Sequence, residues 1–93
     1  MIVICGELQL YLAESRSLKD KRQVIKSLKE RIRSRFNVAV AEVEYQDLWQ
    51  RSTLGLAAIS NEADHSSQLI DEVVRFIEQD LRVQVLDCAI EER

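Results

Sequence analysis

Between residues 2 and 12 apolar side chains fall at alternate positions, with Ile2, Ile4, Leu8, Leu10 and Leu12 on one face and Glu7, Gln9 and Tyr11 on the other. That period of two predicts a strand with one buried side. The period then lengthens. Leu18, Val24, Ile25, Leu28, Ile32 and Phe36 make the apolar stripe of a helix over 18–35, and Ser17, three residues before Asp20, supplies its cap. Residues 37–45 (NVAVAEVEY) and 52–60 (STLGLAAIS) are rich in valine, alanine and isoleucine, and the short connection QDLWQ makes them a hairpin. Asn61 and Asp64 open a second helix over 62–80 that turns Leu69, Ile70, Val73, Val74 and Ile77 inward, and VQVLDCAIEE at the end alternates again as a fourth strand.

The order βαββαβ buries both helix stripes and four half-buried strands most economically as a two-layer ferredoxin-like α+β sandwich over residues 1–93, with an antiparallel sheet of order 4-1-3-2 and both helices on one face. Two consequences bear on function. The turn at Gln46 to Arg51 comes near Arg16 to Arg22, and His65 sits at the far end of the sheet. The face away from the helices presents Val3, Cys5, Tyr11, Gly55, Ala57 and Ile59, a partly apolar surface that a homodimer would bury. Cys5 and Cys88 fall on opposite sides of the sheet, so no disulfide is expected.

No apolar run is long enough to span a bilayer, and no basic segment precedes MIVIC as a signal peptide would require, so the expected location is cytoplasmic, with no membrane partner. The absence of proline and the two glycines suit long elements joined by short turns. No cofactor or metal is expected.

Charge changes the picture most. The net charge is −3, yet nine of the thirteen lysines and arginines lie between Arg16 and Arg35. With Asp20 and Glu30 that segment carries +7, and the rest of the chain, four cations against fourteen acids, carries −10. On a helix Lys19, Arg22, Lys26, Lys29 and Arg33 share an arc of about 80°, a continuous ridge beside the apolar stripe. Like charges at this spacing repel, and Lys19, Lys21 and Arg22 stand at the end of the helix where its dipole favours anions. A ridge that opposes its own helix points to an anionic ligand. Arg16, Trp49 and Arg51 extend the candidate surface, since an aromatic side chain beside a basic ridge suits single-stranded nucleic acid.

SLKDKR at 17–22 together with FNVAVAEVEYQDLWQR at 36–51, and RFIE at 75–78, resembles the YlxP-like family of small bacterial proteins. The resemblance covers nearly the whole chain. It implies a ferredoxin-like fold and a gene neighbourhood of translation initiation and ribosome maturation factors, without an established activity. Glu44 and Tyr45 depart from the family pattern, which has a histidine and a small residue there, and Cys5 is outside it.

Catalytic constellations are weak. An acylphosphatase-type phosphate cradle needs a glycine-bearing loop after the first strand, and AESRS offers Arg16 without glycine. His65 has neither cysteine nor a serine–carboxylate pair within reach on this topology. Glu42 and Glu44, placed on one strand face, read as a solvated edge and not as an acid–base pair. The sequence therefore predicts a non-enzymatic RNA- or ribosome-associated protein without DNA specificity. The alternative is a protein-interaction module whose basic helix docks on an acidic partner.

Overall fold

A computed structural model describes the whole chain, Met1 to Arg93. Its elements run β1 (Ile2–Tyr11), α1 (Leu18–Arg35), β2 (Ala39–Glu44), β3 (Arg51–Ser60), α2 (Ala63–Glu78) and β4 (Gln84–Glu92). The strands form one sheet in the order β2-β3-β1-β4, all neighbours antiparallel, so the ferredoxin-like arrangement is present. No helix is long and apolar enough to cross a membrane.

The caps explain the helix starts. Ser17 accepts from the Asp20 N–H at 3.0 Å, and the Asp20 carboxylate accepts from the Arg16 N–H at 3.0 Å, so α1 begins at Leu18 as the pattern requires. At α2 the expected Asn61 cap is not used. Glu62 occupies the cap position without a side-chain bond, while the Ser60 hydroxyl accepts from the Glu62 N–H at 3.1 Å and meets the Ser66 hydroxyl at 2.7 Å. A serine ending β3 is already aimed at the turn, which leaves Asn61 in solvent.

β1 and β3 pair without interruption from Ile2↔Ser60 to Tyr11↔Arg51. Their even-numbered side chains face the helices, where Leu8, Leu10, Leu54 and Leu56 meet Ile25, Leu28 and Ile32 of α1 and Ile70, Val73 and Ile77 of α2. Close approach of α2 requires Gly6, since a Cβ there would stand 3.1 Å from Ile70 Cγ2. Gly55 is also crowded, with Val43 Cγ1 at 3.0 Å, but Val43 is 44% exposed on the edge strand and has room to rotate. Gly6→Ala is therefore expected to lose about 1–3 kcal/mol by overpacking the core, and Gly55→Ala less than about 1 kcal/mol. Urea melts of the two variants check the order, and equal losses would contradict it.

The opposite face carries Val3, Cys5, Tyr11, Gly55, Ala57 and Ile59 as anticipated, along with a Thr53 hydroxyl that donates to the Gln9 side-chain oxygen at 2.7 Å. Cys88 pairs with Leu8 on the helix side, across the sheet from Cys5, and both thiols are free. Burial, assisted by Asp71, Asp87 and Glu78, pushes the Cys88 thiol pKa up.

Two of the nine clustered cations are used in packing. Arg31 and Arg35 lie 5.0 and 4.8 Å from the centre of the Phe76 ring, and Arg31 also reaches Asp80 at 3.3 Å. Arg82 closes the same junction with a 2.7 Å bond to Asp80 and a 3.2 Å bond to the Ser27 hydroxyl. The Arg82 guanidinium holds the Asp80 carboxyl below the ordinary value of 3.8, against an opposing contribution from burial. A depressed folded pKa adds stability that is present above the unfolded value and is lost as pH falls through the folded one. Asp80→Asn should be less stable than the parent near pH 7, with the two urea midpoints converging below about pH 4. A gap that stays constant through acid pH would contradict this.

Candidate nucleic-acid interface

The site grows from one unexpected residue. Lys21, in the second turn of α1, is completely buried, and its ammonium lies among four acceptors. These are the carbonyl of Tyr45, those of Gln46 at 3.1 Å and Arg51 at 3.3 Å, and Glu42 Oε2 at 3.0 Å. An ammonium has three donors, so its capacity is met without water. Glu42 Oε2 also accepts from the Ser52 hydroxyl at 2.6 Å. Lys21 thus fastens the start of α1 to both ends of the β2–β3 connection. Its stem is buried, and its ammonium reaches the β2–β3 connection.

This attachment shapes the connection. Tyr45 has φ 64, a left-handed conformation that disfavours a bulky side chain by roughly 1–2 kcal/mol. Its carbonyl is held by Lys21 and by the Leu48 N–H at 3.1 Å, and the Arg51 guanidinium lies 5.0 Å from its ring centre. Gln50 donates to the carbonyls of Ala13 at 3.1 Å and Ser15 at 3.3 Å. The expected proximity of Gln46–Arg51 to Arg16–Arg22 follows from these bonds. A register shift between Glu42 and Glu44 places Glu42 opposite Leu54 and Glu44 opposite Thr53, whose side chains lie on opposite faces. The two carboxylates therefore do not share a face, and the bulge is the reason.

The ridge borders a groove of about 410 Å³ between α1 and β2. Arg22, Lys26, Lys29 and Arg33 line it, above Ile25 and beside Glu30 and Glu42. Lys21 compensates the charge of Glu42, so four cations face one uncompensated acid, Glu30. Arg33 is drawn toward the strand, where its Nη2 donates to the Val40 carbonyl at 2.9 Å.

The other predicted residues are placed differently. Lys19 and Arg16 are exposed but line no part of this groove. Trp49 is 55% exposed and Leu48 47%, and with Asp47, Gln50 and Arg51 they border a separate open hollow of about 370 Å³. Arg51 is half-buried and occupied with Tyr45, and its buried Nε has no hydrogen-bond partner. The nine-cation segment thus divides into a groove of four, an anchor at Lys21, a packed pair at Arg31 and Arg35, and two exposed residues at its start.

The fold and site define a two-layer ferredoxin-like protein with a basic groove along one sheet edge. Residues 3–90 match the family described as "Protein of unknown function (DUF503)", and the chain belongs to that family. It is 36% identical over 73 residues to the "Uncharacterized protein YlxP" of Bacillus subtilis (strain 168), an alignment that spans 78% of this chain and 79% of that protein.

Proposed function

We propose that this chain is a non-enzymatic cytoplasmic accessory protein that binds RNA or ribosomal particles. The observation that carries the reading is the groove: Arg22, Lys26, Lys29 and Arg33 face solvent together, and the acid nearest them on the strand is compensated from inside by Lys21. Like charges kept this close repel unless a polyanion occupies the groove. The family resemblance supports the same reading through its neighbourhood of translation factors. The rest of the chain is strongly acidic, so the footprint is local and the affinity modest, and extended nonspecific coating of nucleic acid is disfavoured.

A pull-down of the full chain from bacterial lysate, with and without nuclease, tests this. Enrichment of RNA or ribosomal material that disappears after nuclease is the expected result. A protein partner recovered equally well after nuclease, with no RNA enriched, would favour docking on an acidic protein.

A further inference from the structure

The outer edge of β2 adds a second kind of group to the groove. The Leu12 N–H donates to the Gln50 carbonyl at 2.9 Å, in register with Leu10↔Ser52 and Leu8↔Leu54. Even-numbered residues of β3 therefore direct their backbone hydrogen-bonding groups at β1, and odd-numbered ones at β2. Val40 and Glu42, opposite Leu56 and Leu54, consequently point both N–H and C=O away from the sheet, toward the groove side. Their carbonyls are already engaged. Arg33 donates to Val40 O at 2.9 Å, and the Gln46 amide reaches Glu42 O more loosely at 3.5 Å. What remains along this edge is mainly donors, two backbone N–H groups about 7 Å apart among guanidinium and ammonium groups, with the Glu42 carbonyl only loosely covered.

An edge in this state is poorly suited to another strand. Strand addition needs alternating donors and acceptors, and here the acceptors are largely covered and a bulge follows at Glu42/Glu44. A phosphate only accepts. Its oxygens match free N–H groups as well as they match arginine, and the spacing of the two N–H groups is close to the phosphate-to-phosphate step of an extended polynucleotide.

We propose that the α1–β2 groove seats the sugar–phosphate backbone of an unpaired RNA strand, with phosphate oxygens on the Val40 and Glu42 N–H groups as well as on Arg22, Lys26, Lys29 and Arg33. This deepens the RNA reading above and rests on it. From Arg22 to Arg33 the groove runs about 16 Å along the helix, room for a few nucleotides. Trp49, exposed on the connection that follows β2, is placed to stack a base that a duplex would keep paired.

The test is a titration of the ¹⁵N-labelled full chain at low salt, followed by backbone amide shifts, with oligouridylate octamer, a blunt RNA duplex and a hexaglutamate peptide as separate probes. The octamer should move the Val40 and Glu42 amides among the largest shifts in the chain, and bind about tenfold or more tightly than the duplex, the weight of one stacked base. At the octamer concentration that half-saturates the parent, Lys26→Glu with Lys29→Glu should reduce those shifts at least about fivefold. Octamer shifts confined to the exposed face of α1 and the Trp49 turn would overturn the edge-seated backbone and leave the RNA reading intact. Equal affinity for the duplex would overturn the preference for an unpaired strand. Larger Val40 and Glu42 shifts with hexaglutamate would assign the groove to an acidic segment, and no shift with either RNA would remove the RNA reading itself.

Discussion

Lys21→Met should be among the most destabilising single substitutions in this protein. It keeps the buried stem but removes the charge, leaving Glu42, whose side chain is 14% exposed, and the carbonyls of Gln46 and Arg51 without their shared donor. Breaking one side of a buried pair costs about 3–5 kcal/mol, because the remaining partner stays desolvated. For a chain of this size each kcal/mol moves the melting temperature by about 4–8 °C. Lys21→Met with Glu42→Met is expected to recover only the part of the loss that comes from the stranded carboxylate, because the carbonyls of Gln46 and Arg51 and the Ser52 hydroxyl still lack their partner. Urea denaturation followed by Trp49 fluorescence reports both stability and the position of the turn. If Lys21→Met stayed within about 1 kcal/mol of the parent, Lys21 would not be what holds the connection.

The second large effect concerns binding. Lys26→Glu with Lys29→Glu turns the groove's four cations and Glu30, +3 together, into −1. Affinity for single-stranded RNA at low salt is expected to fall by one to two orders of magnitude, since two phosphate contacts become two repulsions. Stability should change by less than about 0.5 kcal/mol, because Lys26 is exposed and Lys29 half-exposed, and neither has an ion-pair partner to lose. Arg75→Glu with Arg93→Glu, both exposed and outside the groove, changes the net charge by the same amount and is the matched control, which should leave binding near the parent value. Equal losses from the groove and control variants would show that overall charge, not the groove, sets affinity.

These effects differ in how far they can be read from the chain itself. The ridge is legible because its spacing of three and four residues repeats along an uninterrupted helix, and the strand alternation fixes which faces are buried. Lys21 is not legible in that way. Its place on the wheel beside Leu18 and Ile25 implies a packed stem, but its partner Glu42 lies on the far side of a crossover, and only the assembled sheet brings the two together. The bulge after Glu42 is similarly hidden, since no glycine or proline marks it, and Tyr45 adopts positive φ against its own preference. The donor-rich edge follows from that assembly, because Arg33 on α1 and Gln46 on the turn meet carbonyls whose outward direction is set by pairing with β3. Trp49 falls between these cases. A tryptophan in a short polar connection is visible in the sequence, but its 55% exposure is seen only once the connection is placed, fastened by Lys21 and Gln50.

The most direct measurement is the affinity of the full chain for a fluorescein-labelled oligouridylate octamer over a series of salt concentrations. Four cations meeting phosphates predict that log affinity falls with log salt at a slope of about −3, flattening to about −1.5 in Lys26→Glu with Lys29→Glu. No binding at the lowest salt, or a slope the double reversal leaves unchanged, would contradict an RNA site in the groove.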